Sequence, residues 1–92
     1  MYTSIRSNNA IRIVVDISRH REWTSVADIA QRIELPVIYT RNLLIPLVKS
    51  TLIKKIGGKY KLGKTIDTFT LKDIIRAVPP APQRSHFLIT LR

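Results

Sequence analysis

Ninety-two residues carrying 16 Lys+Arg against 6 Asp+Glu have a formal charge of +10, with 45% of the positions apolar and no cysteine. That describes one small domain with the charge of a nucleic-acid binder, too short for a multi-domain enzyme or a doubly wound nucleotide-binding fold. Without cysteine there is no disulfide, no cysteine-held iron–sulfur cluster and no Cys-rich zinc site.

Ser7, Asn8 or Asn9 is expected to cap a first helix whose buried stripe is Ala10, Ile13, Val14 and Ile17. Arg12, Asp16, Arg19 and Arg21 fall outside that stripe. A second helix of about two turns opens with the capping pair Ser25 and Asp28, buries Val26, Ile29, Ala30 and Ile33, and ends at Glu34. Pro36 suits the first turn of a third helix, where its missing N–H is unpaired anyway. That helix runs to about Ser50 and buries Leu43, Leu44 and Leu47, with Arg41 and Asn42 pointing elsewhere. Pro46 inside it removes a hydrogen bond and presses on the Asn42 carbonyl, so a kink or a break is expected there.

After Leu52 the period becomes alternating. Ile53–Ile56 and Lys59–Leu62 flank Gly57-Gly58, a hairpin signal. Pairing across that turn puts Ile53, Lys55, Tyr60 and Leu62 on one face and Lys54, Ile56, Lys59 and Lys61 on the other. A fourth helix follows, capped by Thr70 with Asp73 and buried through Leu71, Ile74, Ile75 and Val78, until Pro79, Pro80 and Pro82 stop it. The organisation expected is a mainly α domain with a small β-hairpin over residues 1–80. A Pro-containing tail over 81–92 forms a strand or a dimerisation segment. Met1 reads as a natural start.

From Leu35 to Ile66 there is no acidic residue, while Arg41, Lys49, Lys54, Lys55, Lys59, Lys61 and Lys64 fall inside. One half of the molecule is therefore the side for an anionic partner. Helix, short helix, tight connection, helix and basic ribbon is the order of a winged helix-turn-helix. Its third helix can enter the major groove of double-stranded DNA, with the ribbon tracking phosphates beside it. Tyr39, Arg41 and Asn42 are the candidate base contacts, because Arg pairs with guanine and Asn with adenine. Thr24 and Ser25 can bring backbone amides to a phosphate, and Lys54, Lys59 and Lys61 are the candidate phosphate contacts of the ribbon.

Gly58 to Thr65 satisfies the G-x-x-x-x-G-K-[ST] phosphate-loop pattern, but its Lys-Tyr-Lys-Leu interior alternates like a strand and the next helix cap comes only at Thr70. No nucleotide site is expected. His20 and His86 are far apart, and no metal-ligand spacing or nucleophile motif exists, so neither a catalytic nor a metal site is expected and no cofactor is implied. Trp23 and Phe69 read as core anchors. No apolar run approaches the ~20 residues that cross a bilayer, and the first residues lack the apolar core of a signal peptide, which points to the cytoplasm.

Several stretches, taken together, resemble the Rrf family of bacterial winged-helix transcription regulators, to which the iron–sulfur cluster regulator and the cysteine-metabolism repressor belong. They are Asn9-Ala10 with Asp16-Ile17, Ser25 to Ala30, Tyr39 with Leu43-Leu44 and Pro46-Leu47, Gly57 to Leu62, and Phe69 to Val78. The resemblance covers Thr3 to Val78 and implies a dimeric repressor or activator on a roughly palindromic operator. It places phosphate contacts at Ser4, Arg6 and Ser25 and base-reading positions at Tyr39, Arg41 and Asn42. This chain departs from the pattern at Pro36, where the family has serine, and at Thr40 and Arg41, where it has leucine and an acidic or amide residue. Thr51 replaces the glycine before the ribbon, and the ribbon is shorter and lacks an Arg-Gly tip. The cluster cysteines are absent, which excludes cluster-based sensing. The long C-terminal dimerisation helix has no counterpart, which leaves the segment from Gln83 to Arg92, or the first helix with the chain's other end, to join two subunits.

The expected function is therefore a sequence-specific, DNA-binding transcription regulator that acts as a homodimer by occupying an operator, not an enzyme. The alternative is a winged-helix interaction module whose basic hairpin docks an acidic protein. RNA is a weaker fit, since few aromatics lie on the ribbon to stack bases.

Overall fold

Ser4, rather than the Ser7–Asn9 run, caps the first helix. A computed structural model describes residues 4–20, 22–63 and 70–78, and in it α1 spans Ile5–Ser18. The Ser4 hydroxyl accepts from the Ser7 N–H at 3.0 Å. Ser7 itself is buried, its Oγ donating at 3.2 Å to the Val78 carbonyl, so a residue that looks like a cap instead joins α1 to the end of the last helix. The stripe Ala10, Ile13, Val14 and Ile17 is buried as its spacing requires.

A two-residue strand, β1 (Thr24–Ser25), precedes α2 (Val26–Ile33). It is too short for alternation to reveal it. Ser25 is at once its last residue and the cap of α2, its Oγ accepting from the Asp28 N–H at 3.1 Å. The helix closes through Glu34 at φ 58°, with Glu34 N donating to Gln31 O and Leu35 N to Ala30 O. That pair of bonds is a Schellman closure.

α3 spans Val37–Lys49. Pro36 stands one place before it, and its carbonyl accepts both the Thr40 N–H and the Thr40 hydroxyl at 2.9 Å. The second bond explains how a hydroxyl is held at a position with 0% exposure. Of the kink or break expected at Pro46, the break does not occur, because α3 runs unbroken through it. The proline lies in the last turn, and Asn42, whose carbonyl loses its N–H partner, is solvent-exposed, where water offsets the loss.

The end of α3 repeats the closure of α2. Thr51 N donates to Val48 O and Leu52 N to Leu47 O, with Thr51 at φ 63°. A β-branched residue is strained in this left-handed region, where glycine is the residue at ease. Left-handed backbone costs a Cβ-bearing residue about 1–2 kcal/mol, and the greater freedom of glycine in the unfolded chain returns part of that. Thr51→Gly is therefore expected to stabilise the domain by about 1 kcal/mol, raising the melting temperature by several degrees. A lower melting temperature would contradict the strain assigned here.

β2 (Ile53–Ile56) and β3 (Lys59–Leu62) form the hairpin with the register that the Gly57-Gly58 turn dictates, pairing Ile53 with Leu62, Lys54 with Lys61, Lys55 with Tyr60 and Ile56 with Lys59. Both turn glycines have positive φ, as a two-residue hairpin loop requires. β1 pairs antiparallel with β3, so a three-stranded sheet of order β1-β3-β2 replaces the expected two-stranded ribbon. α4 (Leu71–Ala77) begins at Thr70, whose N–H donates to the Asp73 carboxylate at 2.9 Å. Ile74 and Val78 are buried and Ile75 is half-buried. Leu71, expected inside, is 59% exposed because it opens the helix before its axis reaches the core.

The core gathers one face of each helix around Ile13, Leu43, Leu44 and Leu47, and the sheet covers it with Ile53 and Tyr60. Arg21, Lys64, Phe69, His86 and the tail 81–92 lie outside the described residues, as does the boundary expected near residue 80.

Candidate nucleic-acid interface

The helical phase of α3 separates Leu43, Leu44 and Leu47, which are buried, from Ile38, Arg41, Asn42, Ile45 and Lys49, which are exposed. Arg41 and Asn42 thus stand on the free face of the helix. Between that face and the hairpin lies a cleft of about 270 Å³, lined by Arg41, Leu44, Ile45, Val48, Lys49, Lys55 and Tyr60. Two of its cations, Lys49 and Lys55, were not among the expected contacts. Lys49 follows Arg41 by eight residues and so returns to nearly the same side of the helix. Lys55 alternates with the inward set, yet β2 is the edge strand and the side chain stays exposed, its Nζ 5.8 Å from the Tyr60 ring centroid.

The outer face of the hairpin sets Lys54 directly opposite Lys61 and Lys59 beside Ile56. Like charges directly opposite one another destabilise a strand pair by a few tenths of a kcal/mol, up to about 1. An anion lying across the pair relieves that repulsion. Lys61 is half-buried, with its Nζ 5.8 Å from the centroid of the Trp23 ring. Trp23 is accordingly a half-buried platform beside the sheet, not a core anchor. It stands one residue ahead of β1, which puts it against β3 and outside the helical core.

Tyr39 is half-buried, and its hydroxyl accepts from Asn9 Nδ2 at 3.0 Å. Asn9 Oδ1 in turn accepts from Arg12, whose other nitrogen donates to the Ile33 carbonyl. The start of α3 is thus tied to α1 and α2, and the Tyr39 O–H keeps its own proton to donate. Ser25 is half-buried at the start of α2, with Asp28 exposed in the first turn. Thr24 is a strand residue with 7% exposure, and its hydroxyl accepts from Arg32 at 3.1 Å.

Arg32 also grips Asp16 through two nitrogens at 2.8–3.1 Å. That hydrogen bond holds the Arg32 pKa above its ordinary value. This clamp joins α1, α2 and β1. Ser4 is engaged in the cap of α1, donating to Ser7 Oγ at 3.1 Å. Arg6 is half-buried beside it, and its Nε is enclosed without a hydrogen-bond partner. His20 is exposed, with Nδ1 at 2.8 Å from the Asp16 carbonyl, as expected of a surface residue.

A helix with one free face, packed on a second short helix and flanked by a three-stranded sheet with a basic hairpin, defines a winged helix-turn-helix domain. The chain belongs to the Rrf2 family, described as iron-dependent transcriptional regulators, whose family model matches residues 3–86. Among solved structures it is similar to CymR, the global cysteine regulator of B. subtilis, with 28% identity and a TM-score of 0.76 over 89% of this chain and 69% of that one. The oxidised form of Staphylococcus aureus CymR has 21% identity and a TM-score of 0.78 over 100% of this chain and 83% of that one. IscR of T. potens has 20% identity and a TM-score of 0.77 over 99% and 74%. These last two likenesses are of fold. No curated protein sequence matches the chain.

The family description carries iron, and the described residues do not fit an iron centre. The sequence has no cysteine, and among the described residues no three His, Cys, Asp or Glu side chains gather into a metal site. Among the described residues, no helix is long and apolar enough to cross a membrane.

Proposed function

We propose that the chain is a cytoplasmic, double-stranded DNA-binding regulator that acts as a homodimer by occupying an operator. The observation that carries this reading is the exposure of Arg41 and Asn42 on the free face of α3, next to a hairpin whose lysines face one another. α3 lies in the major groove. Arg41 reads guanine, Asn42 reads adenine and the Tyr39 hydroxyl donates to a base or a neighbouring phosphate. Lys54, Lys59 and Lys61 meet the backbone beside the groove, Thr24 and Ser25 meet it next to them, since β1 pairs with β3, and Ser4 and Arg6 meet it at the start of α1. Phosphate contacts set affinity and α3 sets sequence.

The test is repeated selection from a random double-stranded library at moderate salt. Enrichment of an inverted repeat with half-sites about one helical turn apart is the expected result. In the selected duplex, Arg41→Ala should cut discrimination at one base pair by about 10- to 100-fold, while affinity for unrelated DNA changes little. Equal losses on every sequence would remove Arg41 from its reading role. Retention without enrichment, collapsing as salt rises, would leave only charge and favour an acidic protein partner for the hairpin.

A further inference from the structure

The free face of α3 is not wholly polar. Ile38 is 69% exposed and Ile45 50% exposed. An amphipathic helix of a monomeric domain ordinarily carries polar residues at such positions. A single exposed isoleucine means little. Two on one stripe, at i and i+7 around Arg41 and Asn42 at i+3 and i+4, make a patterned surface. The core explains neither, because it is filled from the opposite side by Leu43, Leu44 and Leu47.

The partner of that stripe is constrained by charge. Arg41 lies between the two isoleucines, Lys49 lies one turn beyond Ile45, and no acidic residue occurs from Leu35 to Ile66. An anionic surface with small apolar features suits this arrangement, and DNA has one such feature in its major groove, the C5-methyl of thymine. β-Branching limits each isoleucine to few rotamers, so little side-chain entropy is lost on contact. Seven residues of helix advance about 10.5 Å, close to three base-pair steps of 3.4 Å.

We propose that Ile38 and Ile45 are specificity-determining residues that read the methyl groups of two thymines about three base-pair steps apart, on either side of the base pairs met by Arg41 and Asn42. This rests on the DNA-binding reading above. It adds two apolar contacts to a hydrogen-bonding code, and predicts a half-site bounded by thymines.

The test uses the full chain and the duplex obtained by selection, with each thymine replaced in turn by deoxyuridine, which removes only the methyl group. Two positions per half-site, about three steps apart, should each lose roughly three- to five-fold in affinity. Ile38→Ala should abolish the loss at one position and Ile45→Ala at the other. Each variant should bind its uridine duplex about as tightly as the parent protein does, which also reports that it is folded. Uniform tolerance of deoxyuridine by a protein that still selects its operator would overturn the thymine contacts and leave the DNA-binding reading standing. So would isoleucine variants that lose equally on thymine and uridine duplexes. Failure to enrich any sequence would overturn both.

Discussion

Replacing Lys54, Lys59 and Lys61 together with alanine is expected to weaken binding to every duplex, related to the operator or not, by at least 10-fold at low salt. Each neutralised phosphate contributes about 0.9 to the slope of log affinity against log salt, so the triple variant should lose roughly 2 to 3 from that slope per subunit, or about 5 for the homodimer. The preference among sequences should survive, because the lysines sit on the hairpin and Arg41 and Asn42 on α3. Stability provides the control. Removing Lys54 and Lys61 relieves a repulsion between directly paired residues, while removing Lys61 also forfeits its contact with the Trp23 ring. The two effects are of similar size, each about 0.5–1 kcal/mol, and oppose one another. The variant should therefore melt within a few degrees of the parent. A salt slope equal to that of the unaltered protein would place the DNA backbone elsewhere. Unfolding of the variant would mean that the lysines hold the hairpin together rather than hold a ligand.

Gly63→Ala should be the most damaging of the small substitutions. A Cβ at this position would stand 2.6 Å from the Thr51 carbonyl oxygen and 3.3 Å from the Leu52 backbone. These are main-chain atoms at the closure of α3, so no side chain can swing aside. Relief requires the hairpin to move off the helix, stretching the 2.8 Å bond from Gly63 N to Leu52 O. The expected cost is about 1–3 kcal/mol. For a domain of this size each kcal/mol lowers the melting temperature by about 4–8 °C, so a thermal scan reads the effect directly. Because the displaced unit is the hairpin relative to α3, DNA affinity should fall more than the loss of folded fraction accounts for. Unchanged melting would show that this close approach does not exist in solution.

The legible parts of the fold are those written in periodicity. The stripe from Ala10 to Ile17, the two turns of α2 and the register around Gly57-Gly58 follow from spacing alone, since each side chain's face is fixed by the helix or strand period. The exposure of Arg41 and Asn42 follows in the same way from the phase of α3. What was not legible depends on partners distant in sequence. Ser7 has the chemistry of a cap, and only its bond to the distant Val78 carbonyl shows that it serves otherwise while Ser4 caps α1. Arg32 has nothing near it in sequence to announce its clamp on Asp16 and Thr24. β1 carries no pattern because two residues cannot alternate. Tyr39 packs partly against the core, and its hydroxyl is held by Asn9 on another helix, which no local spacing announces. Pro46 does not break α3, because it falls in a last turn open to water, where the lost hydrogen bond costs less than in a helix interior.

Ser25 has two duties, one as a strand residue paired with Lys59 and one as the cap that accepts from Asp28 N. Sheet and helix therefore share a junction with no spare residue in it. A deletion or insertion of one residue between Trp23 and Val26 would shift strand pairing and uncap α2 in the same event. The hairpin turn is the opposite case: Gly57 and Gly58 have nothing within 4 Å of a notional Cβ. Over evolutionary time, changes of chain length should accumulate at that tip and be purged at the junction. The reach of the wing can then vary between relatives while the seat of α2 and α3 stays the same.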